Sequence, residues 1–203
     1  MLKQNSELRA QARESLQGKW LMAAVAALIY CFVIGALSAV PYVGRLASLF
    51  VGLPLAYGLA ILMFGVLKGK QVDIEVLFEG FHDYARILVT KLLQQIYTAL
   101  WTMLLIVPGV MKYYSYAMTD YILKEEPEMK NNAAIEKSMA MMENNRMKLF
   151  TLDLSFIGWF FLSILTLGIG LFFLLPYVHT AHAAFYEDLK AQQGANAEAS
   201  AAV

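Results

Sequence analysis

The stretch LLIVPGVMKYYSYAMTDYILKEE, residues 104 to 126, decides how many helices of this chain could cross a membrane. An apolar run reaches Val107-Pro108-Gly109, and a second run follows that carries four tyrosines and one aspartate, Asp120. Because Pro and Gly are strong helix breakers, the stretch predicts two helices joined by a tight turn. If this stretch is a hairpin, the whole chain is predicted to form three helical hairpins.

The composition is that of a membrane protein. Of the 203 residues, 59% are hydrophobic and 16% are charged, whereas soluble domains carry about 45–50% apolar and about 25% charged residues. The formal net charge is zero, which argues against a nucleic-acid partner. Cys31 is the only cysteine, so an intrachain disulfide is excluded and a cysteine metal site is not expected.

The apolar runs predict an all-α integral membrane protein with one domain over residues 1–190 and a disordered tail over residues 191–203. Each run approaches the length of about 20 residues that spans a bilayer as a helix. The six predicted spans form three hairpins and cover residues 20–40, 46–67, 88–107, 110–123, 149–167 and 171–189.

A cytoplasmic amphipathic helix is predicted before each hairpin. These helices cover residues 6–17, 74–85 and 132–143, and Asp73 is a suitable N-cap for the second. One apolar stripe beside basic residues is typical of a helix lying on a membrane surface. For the first helix, a short solvated lead-in is an equal alternative.

Basic residues set the predicted orientation. With six spans, the side that carries both termini holds every one of the 16 Lys and Arg residues except Arg45 and Lys112. The positive-inside rule then places both termini in the cytoplasm. The alternative is that residues 110–123 lie flat on the membrane, because this segment is short for a span. That arrangement would put Lys124 and the basic residues after it outside.

The hairpins share an architecture that repeats three times. Each closes on a Leu-Lys pair, at Lys68, Lys124 and Lys190. Self-similarity of this kind indicates a repeated structural unit.

Several short motifs carry a resemblance to a known family. They are VPG at 107–109, LSFIGW at 154–159, LTLGIG at 165–170 and PY at 176–177. With these motifs the chain resembles the bacterial integral-membrane family catalogued as domain of unknown function 975, over most of residues 7–189. The resemblance implies a multi-pass protein of the bacterial inner membrane. It brings no activity and no catalytic residue with it.

Six residues form the candidate polar interior. Asp120 leads them, because a carboxylate within a membrane is costly and often functional; its structural alternative is an ion pair with Lys124 at i+4. Lys148, five residues before Asp153, is the corresponding structural alternative, an ion-pair partner for that carboxylate. The candidates are Asp120, Tyr116, Tyr121, Asp153, His179 and His182.

No enzymatic activity is predicted. His179 and His182 share a helix face, but a metal site would need a third ligand from another helix. Catalytic, nucleotide-binding and metal-binding motifs are absent from the sequence, so no cofactor and no metal are expected.

The sequence therefore favours a non-enzymatic protein of membrane organisation or assembly. Its expected partners are membrane lipids, other membrane proteins or further copies of itself. The alternative is a small-solute or ion transporter or channel, with the polar residues around a site at the membrane midplane.

Overall fold

The computed structural model describes the backbone of residues 2–41 and 43–201, and the side chains of all of these except 43, 45 and 196–201. This part of the chain is helical and contains no strand. The elements, in order, are α1 Asn5–Ser15, α2 Trp20–Ser38, α3 Val43–Leu67, a 3₁₀ helix Ile74–Phe81, α4 Tyr84–Leu104, α5 Ile106–Ser115, α6 Thr119–Glu125, α7 Asn132–Met141, α8 Arg146–Leu154, α9 Ile157–Leu165 and α10 Leu171–Ala201.

Three segments of the described chain are long and apolar enough to cross a membrane. They are Trp20–Ser38 in α2, Leu46–Leu67 in α3 and Arg146–Leu165 across α8 and α9, with mean hydropathies of 2.4, 2.2 and 1.6. This finding supports the helical membrane class. The prediction of six spans includes segments other than these three.

Helices that follow one another in the sequence pack in pairs, and α10 joins the last pair to the first. Helix α2 packs on α3, α4 on α5 and α9 on α10. Helix α10 also contacts α1, α2 and α3. Of the turn predicted between the first two spans, Tyr42 lies outside the described residues.

The first amphipathic helix covers the protein core. Leu8, Ala12 and Leu16, which form its apolar stripe, are fully buried, and α1 packs along α10. The stripe therefore faces protein, and neither the surface-lying helix nor the solvated lead-in describes it.

The second amphipathic segment is a 3₁₀ helix, where an α-helix was expected. Asp73 does cap it, because its carboxylate accepts a 3.0 Å hydrogen bond from the Glu75 N–H. The 3₁₀ helix packs on α3 with backbone against backbone. A Cβ on Gly58 would lie 2.5 Å from the carbonyl carbon of Leu77, and two glycines, Gly58 and Gly80, make this approach possible.

The turn in the opening stretch lies ahead of Pro108-Gly109, which corrects the predicted turn. Helix α4 ends at Leu104, Leu105 is extended and α5 begins at Ile106. Pro108 therefore falls in the first turn of a helix, where a missing N–H is tolerated. Gly109 brings α5 close to α4, because a Cβ there would lie 2.6 Å from the Cα of Thr102.

Two predicted single spans are each divided into two helices. The span predicted over residues 110–123 consists of the end of α5 and most of α6, and the span over 149–167 consists of α8 and α9. Residues 191–201, which were expected to be disordered, continue α10 as a helix. Alanine and glutamine in this stretch have high helix propensity, which the sequence prediction undervalued.

Candidate functional site

The division between α5 and α6 is held by one serine from α7. The Ser138 hydroxyl accepts a 3.1 Å hydrogen bond from the Met118 N–H and donates a 2.8 Å bond to the Ser115 carbonyl. Ser138 and Ser115 are completely buried. A buried backbone group without a partner is costly, so Ser138 satisfies the groups that the interrupted helix leaves free. Sequence reasoning did not assign this role to Ser138.

Asp120 forms a largely buried ion pair with Lys91 of α4. Its two oxygens lie 2.9 and 3.0 Å from Lys91 Nζ, and the two side chains are 15% and 14% exposed. The alternative partner predicted for Asp120, Lys124, pairs instead with Glu79 of the 3₁₀ helix. The i+4 pairing fails because each of these charges meets a closer opposite charge on a neighbouring element.

The backbone of Tyr116, rather than its hydroxyl, takes part in this region. Tyr116 is buried, and its carbonyl accepts hydrogen bonds from Gln94 Nε2 at 3.2 Å and from Thr119 Oγ1 at 2.7 Å. Gln94 therefore bonds a neighbouring helix, as the residue type suggests for a membrane interior.

Asp153 joins three helices. Its Oδ1 lies 2.5 Å from His182 Nε2 on α10, and its Oδ2 accepts a 3.0 Å hydrogen bond from the Tyr114 hydroxyl on α5. The Asp153 carboxylate is thus held by His182 and Tyr114 rather than by the predicted ion pair with Lys148. A groove with a volume of about 440 Å³ opens beside the cluster and is lined by Asp153, His182, Tyr114 and apolar side chains.

Tyr121 and His179 join α6 to α10. The Tyr121 hydroxyl donates to the His179 carbonyl at 3.4 Å. The structure thus brings the predicted polar residues into one region, where they link α4, α5, α6, α8 and α10.

A second polar cluster ties the ends of α3 and α6 to the middle of α10. Glu125 accepts hydrogen bonds from Lys68 at 2.9 Å, Lys190 at 2.6 Å and the Tyr186 hydroxyl at 2.8 Å. Burial alone would raise the pKa of the Glu125 carboxyl, but the bonds from Lys190, Lys68 and Tyr186 outweigh it and hold the pKa at about 2. The repeated Leu-Lys pairs are the feature of the sequence that marks this cluster, because two of their three lysines, Lys68 and Lys190, bind Glu125.

The Asp120–Lys91 pair neutralises charge inside the protein, whereas the two lysines that bind Glu125 are partly exposed. A buried ion pair leaves a large penalty when one partner is removed, because the other charge stays uncompensated. Among the residues that the structure describes, no three His, Cys, Asp or Glu side chains are placed to hold a metal ion. The functional role of the six candidates stays a prediction.

Comparisons with known proteins give one match. The model of one protein family, described as "Protein of unknown function (DUF975)", matches residues 1–115 and 103–193. No curated protein matches the chain, and no solved structure does.

Proposed function

This chain belongs to the family of unknown function DUF975, and on that premise we propose that it is a non-enzymatic integral membrane protein that organises or assembles other membrane components. In this proposal three helical hairpins cross the bacterial inner membrane six times. Both termini, α1, the 3₁₀ helix and α7 lie on the cytoplasmic side.

The pairing of helices supports this topology. The pairs α2–α3, α4–α5 and α9–α10 pack as neighbours in sequence, and short connections favour antiparallel pairs. Broken helices at membrane depth are tolerated where they are buried in protein. The interruption between α5 and α6 meets this condition because Ser138 covers it.

One observation carries the non-enzymatic and structural role: both interior carboxylates already bind protein groups on other helices. Asp120 is held by Lys91, and Asp153 is held by His182 and Tyr114. A transporter would need these carboxylates for an ion or a solute. The Asp153–Tyr114 bond ties the third hairpin to the second. The Asp120–Lys91 pair joins the two arms of the second hairpin.

The exposed face of α7 is the part of the proposed cytoplasmic surface that we assign to partners. Asn132, Glu136 and Ala140 are exposed on it, while Ile135 and Ser138 face inward. A polar face on a helix that is anchored by its opposite side is available for another protein.

Site-specific photocrosslinking in native membranes tests the proposal. A photoreactive amino acid is placed at Glu136 on α7 and, as the matched control, at Leu104 on the tip of the second hairpin, which is 69% exposed. We expect discrete crosslinks to membrane proteins from position 136 and crosslinks to lipid from position 104.

A flux assay in proteoliposomes tests the transporter alternative. Transport of an ion or small solute that Asp153→Asn abolishes, together with an absence of crosslinks from position 136, would refute the assembly role. It would favour the transporter alternative.

A further inference from the structure

A groove with mostly apolar walls lies on the third hairpin. It has a volume of about 460 Å³ and lies between α9 and α10, with Arg13 and Trp20 at its edge. Its lining on α9 runs from Trp159 to Thr166, and its lining on α10 runs from Gly170 to Tyr177.

The spacing of the lining shows that the groove follows both helices. On each helix the lining residues recur at i, i+3, i+4 and i+7, which is one continuous face. Seven residues of helix correspond to about 10 Å, at 1.5 Å per residue. The groove therefore extends from the α9–α10 turn to the level where Tyr177 meets Trp20, whose rings are 5.8 Å apart.

The walls suit an apolar occupant. The hydroxyl of Ser163 donates to the Trp159 carbonyl at 2.8 Å, and that of Thr166 donates to the Ser163 carbonyl at 2.9 Å. These polar side chains are thus satisfied within their own helix. The wall surface that remains is aromatic and aliphatic.

Arg13 supplies the charge at the edge of the groove. It is exposed and takes part in none of the described hydrogen bonds or ion pairs, unlike Arg9 of the same helix, which donates to the Ser155 carbonyl at 3.3 Å. A guanidinium binds phosphate oxygens in bidentate geometry. Basic residues near a membrane surface attract anionic lipids.

We propose that this groove binds an anionic phospholipid, with one acyl chain between α9 and α10 and the phosphate on Arg13. The inference rests on the proposed membrane insertion. It assigns a lipid class to a site that the topology alone does not specify.

Tryptophan fluorescence in lipid nanodiscs provides the test. Trp20 and Trp159 line the groove, and Trp101 lies on another hairpin, so the full-length Trp101→Phe protein reports on the groove alone. Its quenching is compared between nanodiscs that contain equal fractions of brominated phosphatidylglycerol or brominated phosphatidylcholine. We expect an occupancy ratio of about fivefold in favour of the anionic lipid, the preference that one basic residue provides at a membrane surface.

Two variants in the same background define the role of Arg13. Arg13→Gln is expected to reduce the occupancy ratio of the two lipids to about one, because it removes the attraction between the Arg13 charge and the anionic lipid. Lys130→Gln, which removes an exposed charge outside the groove, is expected to leave the ratio unchanged. Circular dichroism confirms that each variant is folded.

The outcomes separate the lipid site from membrane insertion. Equal quenching by the two lipids, or a ratio that survives Arg13→Gln, would overturn the lipid site and leave membrane insertion intact. Absence of quenching by either lipid would overturn both.

Discussion

Replacing Ser138 by alanine tests the account of the interrupted helix. Ser138→Ala removes the only described partner of two buried backbone groups, the Met118 N–H and the Ser115 carbonyl. Each unsatisfied buried group costs about 1–3 kcal/mol, so we expect the two groups together to lower the free energy of unfolding by roughly 2–6 kcal/mol. For a chain of this size, 1 kcal/mol lowers Tm by about 2–4 °C, which gives a decrease of at least about 4 °C.

Ser115→Ala is the matched control. Ser115 is equally buried, but its hydroxyl donates at 2.8 Å to the Met111 carbonyl, one turn back in its own helix. Such a bond adds little stability, so the expected loss is below about 1 kcal/mol.

Thermal unfolding in detergent, followed by circular dichroism, measures both variants. Hydrogen exchange adds a local readout, because the Met118 amide is expected to exchange faster in Ser138→Ala than in the wild type. Equal Tm values for the two variants, with unchanged exchange at Met118, would show that Ser138 does not hold the break.

Three further predictions concern other parts of the fold. Gly58→Ala forces a Cβ into the backbone of the 3₁₀ helix and is expected to cost about 1–3 kcal/mol; Gly35→Ala, where nothing lies within 4 Å, should instead raise Tm slightly, and similar shifts would contradict the close crossing. Asp120→Ala leaves the charge of Lys91 uncompensated and is expected to cost about 3 kcal/mol; the double variant with Lys91→Ala should recover part of this loss, and an additive double variant would refute the pairing. Because the pKa of Glu125 is held at about 2 in the fold and an unfolded glutamate titrates near about 4.3, the stability from its cluster is present above pH ~4.3 and is lost as pH falls towards 2. Glu125→Gln should therefore flatten the acid limb of a Tm-against-pH curve, and an unchanged limb would argue against that role.

Local signals in the sequence predicted much of the helical framework. Apolar periodicity located α1 and its buried stripe, and the Asp73 cap was predicted correctly. Two of the three Leu-Lys pairs indicated residues of one cluster, Lys68 and Lys190, although their meeting at Glu125 depends on how the ends of α3 and α6 pack on α10.

Long-range contacts account for what the sequence did not predict. The break between α5 and α6 depends on Ser138, which lies 20 residues away from Met118. The partner of Asp120 is Lys91, at a separation of 29 residues, rather than the neighbour one turn ahead. Helical periodicity constrains only residues within a few turns, so such partners become visible only when the helices are packed.

The contact between α1 and α10 has a consequence for biogenesis. The stripe of α1 is covered by α10, more than 150 residues later in the sequence, and the Lys3 N–H donates to Asp188 at 2.6 Å. During synthesis the first helix leaves the ribosome long before its partner exists, and contacts between distant parts of a chain form late. The apolar side of α1 is thus uncovered while the intervening helices are inserted, and it is buried only after α10 has been synthesised.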